Sequence, residues 1–247
     1  MTEYSINTTE IKLTNGDLLL DAYLATPIGE GNFPGIIVLQ EIFGVNSHIQ
    51  DVTQRIAQQG YIAIAPALYQ RQAPGYQASY TAEDIQQGRV YKEQTTASQL
   101  LGDIQSAINY LKSLPQIKPV FGCIGFCFGG HVAYLAATLA DISATASFYG
   151  AGIATQTPGV GAPTLTRTKE ISGTIYLFFG MEDASIPVSQ VDEIEATLEQ
   201  YRIPHRIFRY PGADHGFFCD RRASYNSAAA TDAWSQVVRL FSEKLYI

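Results

Sequence analysis

The segment Gly125-Phe126-Cys127-Phe128-Gly129-Gly130 sets a thiol between two glycines, each two residues away. An apolar β-like run, Pro119 to Ile124, leads in, and an Ala-rich apolar run, His131 to Ala140, leads out. This is the strand–turn–helix pattern of a nucleophile elbow, G-x-S-x-G, with cysteine in the serine position. Such a turn strains the backbone at the nucleophile and leaves its side chain exposed at the top of a sheet. A side chain at Gly125 or Gly129 would collide with the crossing backbone. The helix that starts there favours a thiolate and then an oxyanion at its N-terminus. Gly-rich junctions also bind phosphates, and Cys is often only a small buried hydrophobe. The chemistry therefore depends on partners.

Two histidines follow Cys127 in the chain. His205 precedes the β-like run Ile207 to Tyr210 and reads as a surface residue at a strand start. His215 lies in Tyr210-Pro211-Gly212-Ala213-Asp214-His215-Gly216-Phe217, a Gly/Pro-rich loop after that strand. A loop above the end of a strand is where a general base is placed, so His215 is the expected base. An acid belongs after a preceding strand. Thr174 to Phe179 reads as a buried strand, and Gly180-Met181-Glu182-Asp183-Ala184-Ser185-Ile186-Pro187 follows it. Asp183 is the better acid, to hold the imidazole in one tautomer, and Glu182 competes. The plain alternative for Asp183 is a helix cap before Pro187. Glu41 follows the apolar run Gly35 to Leu39, so its carboxylate sits on the ligand side of a parallel sheet. Its plain alternative is a cap on the helix beginning near Ser47.

These motifs, with Gln40-Glu41-Ile42-Phe43-Gly44-Val45-Asn46 and Tyr69-Gln70-Arg71-Gln72-Ala73-Pro74-Gly75, occur in one order along the chain. By them the sequence resembles the dienelactone hydrolase family, cysteine hydrolases of the α/β-hydrolase fold, over nearly its whole length. The resemblance implies a Cys127–His215–Asp183 triad that cleaves a carboxylic ester or lactone through an acyl-enzyme, without a cofactor. It implies an oxyanion hole from the Ile42 and Phe128 N–H groups. It also implies that Glu41 hydrogen-bonds the resting thiol and swings to accept its proton when substrate binds. Family enzymes acting on dienelactone carry a carboxylate-binding Arg a few residues after the catalytic His. Here that place is held by Cys219, expected to be a free loop thiol, with Arg221 and Arg222 further on. Arg89 is a candidate second anchor. Two rival readings stay open: a small-molecule binder on the same fold, which an ester turnover assay would expose, and a thiol-dependent acyltransferase, revealed if an added alcohol or thiol outcompetes water.

Other chemistry is weaker. Cys123, Cys127 and His131 stand four apart, but a strand and a helix should point them different ways, and zinc wants three or four convergent ligands. No metal site is expected. The net charge of −7, with no basic run, argues against nucleic acid. No run of about 18 apolar residues could span a bilayer, and Met1-Thr2-Glu3-Tyr4 begins no signal peptide. Three cysteines, an odd number, make no disulfide framework, which suits a cytoplasmic location. The expected partner is a small ester or lactone, with the chain a monomer or weak dimer.

The elements that must position these groups follow from periodicity. Glu10 to Leu13 and Leu18 to Ala25, joined through Asn15-Gly16, read as an antiparallel hairpin. Strands and helices then alternate. Gly35 to Leu39 is a strand, Ile49 to Gln58 a helix, and Tyr61 to Ala65 a strand. Thr95 to Leu114 is a helix with Leu100, Leu101, Ile104, Ile108 and Leu111 on one face. After the elbow come strand Ala144 to Phe148, the acid's strand, helix Ser189 to Tyr201, strand Arg206 to Tyr210 and helix Ala228 to Leu245. This alternation predicts one α/β domain over residues 1–247, a mostly parallel twisted sheet with helices on both faces. Two long loops, Tyr69 to Thr81 and Tyr149 to Lys169, fall on the ligand side and are expected to line the pocket.

Overall fold

The computed structural model describes residues 3–246. Ile6–Asn15 (β1) and Leu18–Pro27 (β2) form the antiparallel hairpin, turned at Gly16 with φ 59°. That left-handed conformation is the one an Asn-Gly turn demands. The strands Phe33–Leu39 (β3), Ile62–Pro66 (β4), Ile117–Phe126 (β5), Ile142–Phe148 (β6), Thr174–Gly180 (β7) and His205–Tyr210 (β8) complete one eight-stranded sheet, ordered β1-β2-β4-β3-β5-β6-β7-β8. β2 pairs antiparallel to β4, and every pairing from β4 to β8 is parallel. This is an α/β-hydrolase architecture.

The strands alternate sides residue by residue. Ile36 and Val38 of β3 enter one core, with Ile124 and Phe126 of β5; Ile37 and Leu39 enter the other, with Phe121 and Cys123. Helices Ser47–Gln58 (α1) and Ser227–Leu245 (α6) bury Ile49, Val52, Val237 and Phe241 in the first core. Ala97–Lys112 (α3) buries Leu100, Ile104, Ile108 and Leu111 in the second. Phe128–Ala136 (α4) follows the elbow, and Val188–Gln200 (α5) follows β7. A sheet covered on both faces explains why its central strands are apolar throughout rather than alternating.

Two features depart from the sequence-based picture. Ala82–Glu93 (α2) is a helix where no element was expected. Only Gly88 of its residues is buried, so it has no apolar stripe to betray it. Its start was nevertheless written locally: Thr81 and Asp84 form a capping box. The Tyr149–Lys169 segment contains a 3-10 helix, Thr164–Glu170.

Candidate active site

Five loops converge at the carboxyl ends of the strands. Glu41 follows β3, Cys127 follows β5, Tyr149 follows β6, Asp183 follows β7 and His215 follows β8. Cys127 has φ 53° and ψ −114°, a conformation that L-residues rarely adopt. The glycines around it make that turn feasible. A Cβ on Gly125 would lie 1.9 Å from the Gly129 carbonyl oxygen, one on Gly129 2.3 Å from that of Leu39, and one on Gly130 2.1 Å from that of Phe148. Each obstacle is backbone and cannot step aside. The Cys127 N–H donates to the Phe148 carbonyl at 3.0 Å, which ties the elbow to the neighbouring strand.

Cys127, His215 and Asp183 form one hydrogen-bonded line. His215 Nε2 is 3.1 Å from Cys127 Sγ, and His215 Nδ1 is 2.7 Å from Asp183 Oδ2. Asp183 is buried, and its other oxygen accepts from the Ser185 N–H at 2.8 Å. It therefore orients the imidazole and shapes its own turn at once. Glu182, its exposed neighbour, is not on His215. The Tyr149 ring packs edge-on against His215 at 5.2 Å and is wholly buried. Burial works against a charged imidazole, but Cys127 and Asp183 outweigh it and push His215 up to about 10. His205 lies at the opposite end of β8, with Nδ1 2.8 Å from the Ile203 carbonyl.

Glu41 does not sit as the resemblance implies. Its Oε1 accepts from Arg222 Nη1 at 3.1 Å, its Oε2 has no hydrogen-bond partner, and the Cys127 thiol is on His215. The expected Glu41–thiol hydrogen bond is not formed, because Arg222 offers a buried carboxylate a full counter-charge. Glu41 is no helix cap either: Asn46 caps α1, accepting from the Ile49 N–H. Burial works against Arg222, yet Glu41 leads the groups that raise it and keep it charged.

A cleft of about 540 Å³ opens above this line. Ile42, Phe128, Cys127, His215, Arg222 and Arg89 all border it. Phe128 is the first residue of α4, so its N–H has no partner within the helix. Arg221 is turned away to the Ser47 hydroxyl and does not border the cleft. The Tyr149–Lys169 segment supplies Ala151 and residues Gln156 to Gly159 to one wall, as expected. The Tyr69–Thr81 segment does not reach it; Tyr69 stacks on Phe128 at 5.6 Å from outside, while α2 supplies Ile85, Arg89, Lys92 and Glu93. Gly88 lets α2 press against the Ile42 carbonyl, where a Cβ would lie at 2.3 Å.

Cys123 and His131 do not join Cys127. Cys123 is buried among core residues, and His131 is held by the Ala151 carbonyl at 3.0 Å and Thr164 Oγ1 at 2.7 Å. Burial lowers His131 to about 4, so it is neutral. Cys219 is a free thiol but not an exposed one: it is fully buried and donates to Tyr80 Oη at 3.2 Å. Sequence reasoning missed Tyr149, Tyr80 and Lys92, whose places beside the site depend on packing between distant segments.

Comparison with known proteins gives one consistent answer. The model of the dienelactone hydrolase family matches residues 20–245. A Synechocystis protein named "Putative carboxymethylenebutenolidase" is 54% identical over 241 residues, covering 97% of this chain and 98% of the relative. A Yersinia pestis protein of the same name is 31% identical, covering 91% of this chain and 84% of the relative. Among solved structures, a Klebsiella pneumoniae protein described as a "Putative Dienelactone Hydrolase" superposes with TM-score 0.88 at 29% identity, covering 97% of this chain and 99% of the other.

Proposed function

The chain belongs to the dienelactone hydrolase family, and from that premise we propose that it hydrolyses a carboxylic ester or lactone through a Cys127–His215–Asp183 triad. The observation that carries the reading is the unbroken line from Asp183 through His215 to Cys127, with contacts of 2.7 and 3.1 Å at the mouth of a cleft. The residues act as one α/β domain, because all five site loops leave a single sheet.

The chemistry follows from the geometry. His215, raised to about 10, already holds the proton as an imidazolium that Asp183 stabilises, so Cys127 rests as its thiolate partner. The thiolate attacks the ester carbonyl, and the Phe128 and Ile42 N–H groups stabilise the oxyanion. The tetrahedral intermediate collapses, and the His215 imidazolium protonates the departing alkoxide. A water, deprotonated by His215, then opens the thioester and releases the acid. No cofactor enters these steps. A thiolate suits activated esters and lactones more than amides.

In this arrangement His215 holds the proton beside the Cys127 sulfur, while Glu41 is engaged by Arg222. Arg222 and the exposed Arg89 on the cleft rim favour a substrate that carries a carboxylate. Arg221 takes no part. The test is a screen of lactones and short esters, with and without a free acid group, against wild type and Cys127→Ala. Turnover of an acid-bearing lactone by wild type alone supports the reading. Binding without turnover by either protein would favour a non-catalytic binder.

A further inference from the structure

A second cluster of reactive groups adjoins the cleft. Glu41, His48 and Cys219 are all buried, and one ligand-type atom from each lies within 4.8 Å of the others. Two of the three residues hold polar atoms with no partner: Glu41 Oε2 and His48 Nε2 are buried and make no hydrogen bond. Glu41 is 1% exposed and His48 2%. Buried polar atoms are normally satisfied, so a pair of orphans in one cluster asks for a ligand. We propose that Glu41, His48 and Cys219 form a site for a monovalent thiophilic cation, of which Cu(I) is the test case.

The donor set argues for a soft metal. A thiolate and an imidazole select Cu(I) or zinc over magnesium or calcium. Charge then separates the remaining candidates. Arg222 already balances Glu41 through their 3.1 Å contact. Binding at sulfur exchanges the thiol proton for the metal: Cys219–SH plus Cu(I) gives Cys219–S–Cu(I) plus a proton released to solvent, with no change of oxidation state. A monovalent cation leaves the cluster neutral. A divalent one leaves a net positive charge buried beside Arg222, which is costly without a further anion.

The surroundings suit such a ligand sulfur. Tyr80 Oη accepts from the Cys219 thiol at 3.2 Å and from Asn46 Nδ2 at 3.3 Å. Once the thiol proton has left, the Tyr80 O–H turns to donate to the sulfur, a common support for a metal-bound thiolate. His48 also borders a separate surface hollow of about 160 Å³ with Arg55, Phe218, Asp220 and Trp234.

The proposal does not depend on the catalytic reading, and its test avoids the catalytic thiol. The Cys127–His215 pair would itself capture Cu(I), so the background is Cys127→Ala. The reduced variant is titrated without oxygen against the coloured Cu(I)–bathocuproine disulfonate complex. It should withdraw one equivalent of Cu(I). Adding Cys219→Ser, which keeps the side chain's shape, or His48→Phe should weaken that withdrawal at least tenfold. Adding Cys123→Ser should leave it unchanged. Failure of Cys127→Ala to withdraw copper overturns the site. So does equal withdrawal after both Cys219→Ser and His48→Phe in variants whose circular dichroism matches the parent.

Discussion

Arg222 Nη1 lies 3.1 Å from Glu41 Oε1, although 181 residues separate them in the chain. The contact joins the loop after β3 to the loop after β8, on the two sides of Cys127. It fixes Glu41 away from the thiol and sets a guanidinium on the cleft wall. One ion pair thus keeps Glu41 off the thiol and sets a positive charge at the cleft.

The Glu41 side chain is 1% exposed, so removing its partner strands a charge. Arg222→Gln should destabilise the protein by about 3 kcal/mol. Glu41→Gln/Arg222→Gln should recover a good part of that loss, because no isolated charge remains. Urea denaturation of the four proteins of the cycle checks this. Additive losses would mean that the two side chains do not interact.

His215 is held up to about 10 from an ordinary 6.5, chiefly by Cys127 and Asp183 acting against burial. Its folded value is above its unfolded one. Its contribution to stability is therefore fully present below about 6.5 and is lost as pH rises through about 10. Proton NMR of the His215 ring should show a raised titration midpoint, and Cys127→Ala should lower it. An unchanged midpoint in Cys127→Ala would show that the thiol does not supply the shift. The hydrolysis rate should also decline above about pH 10, where the proton needed by the departing alkoxide is gone.

Gly129→Ala should prevent folding or cost several kcal/mol, because its Cβ would meet the Leu39 and Gln40 carbonyl oxygens at 2.3 and 2.5 Å. Gly29→Ala is the control, since its Cβ would find only Tyr4 Cε1 and Cδ1 at 3.5 and 3.7 Å, ordinary contacts. Thermal denaturation distinguishes them. Equal melting temperatures would mean that the elbow relaxes in a way its backbone packing forbids.

His215→Ala should reduce kcat by on the order of 10⁴. His205→Ala should change it by no more than about twofold, as an ordinary substitution away from the site does. Esterase assays on the two variants check this, and equal losses would assign the base wrongly.

The sequence was most readable where local physics dictates the answer. The Gly125–Gly130 turn, the Asn15-Gly16 hairpin and the apolar strands β3 and β5 announce themselves through sterics and periodicity. The placement of Asp183 and His215 beside Cys127 is legible because each lies just past a strand end in Gly/Pro-rich chain. The helix α2 is hidden because only Gly88 of it is fully buried, with Ile85 and Tyr91 packed on the core only in part, too few for a periodic apolar stripe. The partner of Glu41 was hidden for another reason. Nothing within a short window says that Arg222 turns inward while Arg221 turns out to Ser47; the three-dimensional path of the loop decides it. The burial of Cys219 under Tyr80 is likewise a long-range fact, 139 residues apart.

Cys127 should become acylated during turnover. The most direct measurement is intact and peptide mass spectrometry after rapid acid quenching of the enzyme with nitrophenyl acetate. One added acetyl group is expected, located on the peptide containing Cys127 and missing from Cys127→Ala. An acetyl group found reproducibly on another residue, or wild-type turnover by Cys127→Ala, would contradict it.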